Sequence, residues 1–199
     1  MLISGKPVKG RVILAHGAGA GMRSEFMGVI ADKLVLQGFE VVRFEFPYMQ
    51  QITATGKRRP PDPMPKLLAY FAEIIAQFDE DVPLFLAGKS MGGRVASMLF
   101  EASSASGCFV FGYPFHPAGK PDKLRVDHLF EITKPLHIFQ GTRDRMGSFS
   151  EVTQYNLPPS VSVHWLEDGD HDLKPRKISG FLHDDHLNYS VSFIKDWVR

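Results

Sequence analysis

Short apolar runs alternate with longer amphipathic stretches along nearly the whole chain, and this alternation constrains the fold more than any other feature. The apolar runs are residues 11–15, 40–46, 82–87, 108–112, 136–140 and 161–166. Between them, apolar residues recur at helical spacing. Met27, Ile30, Ala31 and Leu34 follow a candidate N-cap, Ser24, and are closed by Gly38. Met64, Leu67, Leu68, Phe71, Ile74, Ile75 and Phe78 mark a helix over about 62–79, and Leu187, Val191, Ile194 and Val198 mark a last helix from about Asp185. Strand and helix in strict alternation predict a three-layer α/β/α sandwich around a mostly parallel sheet of about six strands, as one domain over 1–199. Runs that are apolar at every position suit central strands covered on both faces, whereas 161–166 alternates and suits an edge. Residues 47–61 read as a loop.

Composition removes several function classes. A chain of 199 residues with 44% hydrophobic content is long enough to bury roughly 70% of its unfolded surface. Its 23 Lys+Arg stand against 22 Asp+Glu, so nothing suggests nucleic acid or an anionic membrane as a partner. The single Cys108 cannot form an internal disulfide, which makes a reducing cytoplasm the expected compartment. The first apolar run is too short for a signal peptide or a membrane span. No cofactor or metal is expected. The pair in His183-Asp-Asp-His186 lacks the further ligands that a zinc site requires.

The strongest chemical signal is Gly88-Lys89-Ser90-Met91-Gly92, a G-x-S-x-G pattern that follows a buried strand and opens a helix. Such a turn strains its central residue and brings strand and helix together, so the positions two before and two after it must lack side chains. Gly93, Ala96 and Ser97 continue a small face. Gly88-Lys89-Ser90 also resembles the tail of a phosphate-binding loop, but that motif needs glycine where Pro83 stands.

A serine hydroxyl is a weak nucleophile without a base, and the base needs an acid to set its tautomer. In hydrolases of this motif the partners follow in the order Ser, Asp or Glu, His. Asp144, in Gly141-Thr-Arg-Asp144, comes directly after one strand, and His171, in Gly169-Asp170-His171-Asp172, comes just after the next. The interval holds one helix and one strand, with Ser148 and Glu151 as a capping box. No other histidine follows the strand after Asp144 in this way. The oxyanion hole would combine the N–H of Met91 with one from His16-Gly17-Ala18-Gly19-Ala20-Gly21, where Ala18 is the best candidate. A dinucleotide-binding turn fails there, since G-x-G-x-x-G would need glycine at Met22 or at Ser24.

Leu-Ala-His-Gly-Ala-Gly-Ala-Gly, Phe-Glu-Phe-Pro-Tyr, Gly-Lys-Ser-Met-Gly-Gly-Arg, Gly-Thr-Arg-Asp and Gly-Asp-His-Asp together carry a likeness over about residues 12–198. The chain resembles the α/β-hydrolase superfamily, and within it the small lid-less dienelactone-hydrolase-like and testis-expressed-type hydrolase-like proteins. The resemblance implies serine hydrolysis by Ser90, Asp144 and His171 on a minimal α/β-hydrolase fold. Two departures are expected. Residues 1–9 are too short for the two strands that usually precede the oxyanion loop's strand, and residues 113–135 leave no room for a cap domain. Dienelactone hydrolase itself uses a cysteine nucleophile, unlike Ser90.

An uncapped site suits a small, accessible ester or thioester. Lys57, Arg58, Arg59, Lys89 and Lys174 near the catalytic loops raise an anionic acyl group as one reading and solvated surface charge as the other. Glu45 is either a pocket-edge or a surface carboxylate. Two function classes follow: a carboxylic-ester hydrolase working through an acyl-enzyme, and a non-catalytic binding or scaffold protein on the same fold.

Overall fold

Each of the six apolar runs forms a strand of one sheet, and the burial of most of their side chains explains why. In this computed structural model, which describes residues 1–78 and 82–198, the strands are β1 (Leu2–Ser4), β2 (Gly10–Ala15), β3 (Phe39–Phe44), β4 (Leu84–Lys89), β5 (Gly107–Phe111), β6 (Leu136–Gly141) and β7 (Val161–Leu166). They lie in the order β1-β3-β2-β4-β5-β6-β7, and every neighbouring pair is parallel except β1 with β3. Strands β4, β5 and β6 are buried at every position, whereas β7 at the edge is buried only at its two ends.

The helices are α1 (Glu25–Leu36), α2 (Pro47–Thr55), α3 (Met64–Ile75), α4 (Met91–Phe100), α5 (Phe149–Val152) and α6 (His183–Trp197). Side chains alternate across a strand, so β2 feeds both layers. Val12 and Leu14 pack with Met27, Ile30 and Leu34 of α1 and with Leu187, Val191 and Ile194 of α6. Ile13 and Ala15 pack on the other face with Tyr48 of α2, Phe71 of α3 and Val95 of α4. The result is the expected three-layer α/β/α sandwich.

Several boundaries differ from the sequence reading. Among the described residues there are seven strands rather than about six, because residues 2–4 add an antiparallel edge strand, Leu2 pairing with Arg43. Three residues with a half-exposed pattern carry no readable period. Residues 47–61 are not all loop. Pro47 starts α2, where its fixed φ and missing N–H cost nothing, and Gly56 ends it in the left-handed region at φ 70°. Buried Asp62 accepts the Tyr48 N–H at 3.0 Å and so secures the start of that helix. Helix α3 spans only Met64–Ile75; its expected end at Asp79 lies outside the described residues. The last helix starts two residues early, at His183. The connection from β5 to β6 contains one 3-10 turn, Asp127–Glu131, and no cap domain.

Strand order reverses between β3 and β4, on either side of β2. Ligands of open α/β sheets bind in the crevice at such a point, outside the carboxyl ends of the strands. Residues 16–21 and 89–91 both emerge there. No helix among the described residues is long and apolar enough to cross a membrane.

Candidate active site

Ser90 sits between β4 and α4 with φ 52° and ψ −117°, a conformation rare for a residue with a side chain. Packing holds it there. A Cβ on Gly88 would come within 2.4 Å of the Gly92 carbonyl carbon and the Gly93 nitrogen, and one on Gly92 within 2.4 Å of the His16 carbonyl oxygen. The Ser90 N–H donates to the Phe111 carbonyl at 3.0 Å, tying the turn to β5.

The structure brings Ser90, His171 and Asp144 into one hydrogen-bonded row. His171 Nε2 lies 2.7 Å from Ser90 Oγ, and His171 Nδ1 lies 2.7 Å from Asp144 Oδ2. A carboxylate only accepts, so Nδ1 carries the proton and Nε2 is free to accept from the hydroxyl. Asp144 is fully buried and receives two further donors: Gln140 Nε2 at 2.8 Å on Oδ2, and the Met146 N–H at 2.8 Å on Oδ1. Gln140 is itself clamped, its Oε1 accepting the Tyr113 N–H at 2.7 Å. This orienting role of Gln140 was not read from the sequence. A glutamine ending an apolar strand carries no local signal beyond its being polar in a buried run.

The loop bearing His171 is fixed from several sides. Asp170 Oδ1 accepts the N–H groups of Asp172 and Lys174 at 2.9 and 3.0 Å, closing a tight turn, and Leu173 plugs the core with no exposed surface. Asp168 accepts from Arg176 Nε and from the Arg176 backbone, each at 2.8 Å, and pairs with Arg143. Hydrogen bonds from Arg176 pull the Asp168 carboxyl down to about 2. Gly141 lets the acid-bearing and histidine-bearing loops touch, because a Cβ there would lie 2.3 Å from the Gly169 carbonyl oxygen.

Ala18 lines the same cavity as Ser90, and Met91 follows Ser90 in the chain. Met91 is the first residue of α4, where an N–H has no partner within the helix. The Ala18 N–H is aimed indirectly. The Gly17 carbonyl lies 2.7 Å from His16 Nδ1 and 3.3 Å from the Tyr48 hydroxyl. Among the described residues no peptide bond is cis, and C=O and N–H point opposite ways across a trans peptide. The Ala18 N–H therefore points away from His16 and Tyr48. The Tyr48 hydroxyl also donates to the Ala18 carbonyl at 3.0 Å. His16 is a neutral strut: Phe46 N–H donates to its Nε2 at 3.1 Å, and burial pushes its pKa below the ordinary histidine value. Burial, reinforced by the Asp62 charge, raises the Tyr48 phenol, which keeps its proton for donation.

A cavity of about 860 Å³ opens beside Ser90 and His171. Ala18, Phe26, Val29, Met146 and Leu187 supply apolar wall, and Lys174, His183 and Asp184 stand among the polar lining. Lys57, Arg58 and Arg59 do not line it, so the part of the anionic-substrate reading that rested on them falls away. They extend from the end of α2 into solvent. Glu45 is neither at the pocket edge nor on the surface. It is buried, accepts the Thr53 hydroxyl at 3.1 Å and packs against Gly21. His183 and His186 contact the backbone carbonyls of Asp172 and Leu173 at 3.0 and 2.8 Å. Among the described residues no three His, Cys, Asp or Glu side chains gather in a metal-binding group.

A family model described as an alpha/beta hydrolase domain matches residues 8–199, nearly the full length. The chain belongs to the alpha/beta hydrolase family. Solved structures agree on the fold. An alpha-beta serine hydrolase homologue from Coxiella burnetii is similar to this hydrolase domain with a TM-score of 0.71 at 15% identity, over 100% of this chain and 90% of its own. An esterase from Pyrococcus furiosus reaches 0.69 at 20% identity, covering 95% and 83%. A Xanthomonas campestris protein, described as a serine hydrolase without a lid, reaches 0.68 at 19% identity, covering 98% and 84%. No curated protein sequence matches the chain significantly. At these identities the likeness speaks for the fold of the alpha/beta hydrolase, and the chemistry rests on its own residues.

Proposed function

We propose that this alpha/beta hydrolase is a serine hydrolase that cleaves a small carboxylic ester or thioester through an acyl-enzyme. The observation that carries this reading is the continuous row Asp144–His171–Ser90, with both links at 2.7 Å and its serine end facing the cavity. Ser90 Oγ attacks the acyl carbon while its proton passes to His171 Nε2. Asp144 holds the Nδ1–H and stabilises the imidazolium. Negative charge developing on the acyl oxygen meets the N–H groups of Met91 and Ala18. Collapse expels the alkoxide or thiolate, which takes the proton from His171 Nε2 and leaves the imidazole neutral. Water then attacks the ester of Ser90 while its proton passes to His171, and His171 returns that proton to Ser90 Oγ as the carboxylic acid leaves. The wall of Phe26, Val29 and Leu187 suits a compact apolar group of the substrate. A cytoplasmic location agrees with the buried free thiol of Cys108.

A fluorophosphonate probe tests the proposal. The wild type is expected to gain the mass of one probe less HF on Ser90 and to hydrolyse p-nitrophenyl esters, and Ser90→Ala is expected to do neither. A folded wild type that neither labels nor hydrolyses would leave the binding-protein reading in its place.

Tyr48 bears on the oxyanion part of the mechanism alone. Tyr48→Phe removes the hydroxyl that steadies two carbonyls of the loop, while His16 still holds one of them. The expected result is a fall in kcat of about 5- to 20-fold with KM little changed, as for loss of one orienting hydrogen bond. An unchanged kcat would show that the loop keeps its shape without Tyr48.

A further inference from the structure

Lys89 precedes the candidate nucleophile, and neither the turn nor the hydrogen-bonded row by itself requires a cation there. The elbow pattern leaves this position free. Yet the side chain is only 8% exposed, and its Nζ donates to the His171 carbonyl at 2.7 Å and lies 3.1 Å from Asp172 Oδ1. The Phe26 ring is 5.6 Å from the ammonium. On another side the chain is close-packed, since a Cβ on Gly112 would come 3.2 Å from Nζ and 2.5 Å from the His171 carbonyl oxygen. Burial lowers the Lys89 pKa, while Asp172, Asp144 and Asp170 act to raise it. A buried ammonium is tolerated only where it is paired and hydrogen-bonded, so this placement is specific.

The two residues joined by this contact come from distant parts of the chain, and their spacing decides the chemistry. Lys89 is covalently next to Ser90, and its tip holds the backbone of His171. One side chain thus spans nucleophile and base, beside the link that the imidazole makes itself. We infer, resting on the serine-hydrolase reading above, that Lys89 is a positioning residue that holds the His171 backbone so that Nε2 stays within hydrogen-bond reach of Ser90 Oγ. Asp172, whose side chain is 71% exposed, supplies the compensating charge from the solvent side. The competing role for Lys89, whose side chain also lines the cavity, is to bind a substrate anion. Two of its donor directions are already taken by the protein, and a positioning role predicts a different kinetic signature.

Lys89→Met keeps the apolar stem beside Phe26 and removes the charge and the donor. It is expected to lower kcat by about 10- to 100-fold, the range for an ångström-scale misplacement of a reacting group, with KM within threefold of wild type. Fluorophosphonate labelling of Ser90, which needs the same nucleophile and base but little substrate binding, should slow in parallel. Lys89→Gln, with a polar end for Asp172 but too short to span to the carbonyl, should behave alike and serves if the Met variant does not fold. A folded variant with kcat within threefold of wild type overturns the inference. So does a KM that rises while kcat holds, which would make Lys89 a substrate contact. A wild type that takes no label overturns the hydrolase reading and this one with it; a labelled wild type with unslowed Lys89 variants overturns this one alone.

Discussion

Asp144→Asn is expected to lower kcat by about 10⁴-fold while leaving the fold intact. Both carboxylate oxygens are committed to donors: Oδ2 to His171 Nδ1 and Gln140 Nε2, Oδ1 to the Met146 N–H. An asparagine has one acceptor oxygen and one NH₂ group, so each orientation sets its NH₂ against a donor. With NH₂ on the side of His171, the imidazole is driven to present Nδ1 as acceptor and carry its proton on Nε2. It then has no lone pair for the Ser90 proton. With NH₂ on the side of Met146, the histidine link is kept but the neutral amide no longer stabilises the imidazolium. The buried mismatch costs about 1–3 kcal/mol of stability in addition. Steady-state turnover of a p-nitrophenyl ester, alongside a thermal melt, separates the two effects. A kcat within tenfold of wild type would mean that Asp144 does not set the histidine's protonation.

Gly92→Ala is expected to act on the fold instead, lowering stability by about 3 kcal/mol or more. The added Cβ would stand 2.4 Å from the His16 carbonyl oxygen and 2.5 Å from that of Ala15. Both atoms belong to the backbone leaving β2, so relief requires α4 to move away from the sheet. That motion also displaces Ser90 from its left-handed conformation. For a domain of this length the melting temperature should fall by roughly 6–12 °C, and fluorophosphonate labelling should be lost even where the protein remains folded. An unaltered melting temperature would show that the turn has room which the distances deny. Gly88→Ala meets backbone at the same 2.4 Å and provides an independent repeat.

Residues far apart in the chain differ in how much of their role was legible. Ser90 announces itself, because the turn that strains it needs glycines at fixed offsets between a readable strand and a readable helix. Asp144 and His171 were legible as types at strand ends, each in a short turn motif, and the structure sets them in one row with Ser90. Gln140, Tyr48 and His16 were not legible in these roles. Each is fixed by a backbone group distant in sequence, Gln140 by the Tyr113 N–H, His16 by the Phe46 N–H and Tyr48 by the Ala18 carbonyl, and such pairing leaves no period or motif. Helix α2 was missed for a local reason: Pro47 reads as a break, although at the first helical position it is compatible with the helix. Strand β1 was missed because three residues cannot show an alternation. The basic cluster 57–59 left two readings open in the sequence, and its exposure outside the cavity favours solvated surface charge for these three residues.

The amino-acid sequence by itself determined the layer architecture, the sheet direction and the serine turn, because hydrophobic periodicity and glycine placement are local consequences of backbone geometry. Tertiary structure decided what is non-local. It selected β2 and β4 as the neighbours flanking the crevice, directed the Ala18 N–H through the Gly17 carbonyl, and enclosed the Lys89 ammonium against the His171 loop. Those outcomes depend on contacts, Tyr48 with the Gly17 carbonyl and Lys89 with the His171 carbonyl, that only packing of the whole sheet brings together.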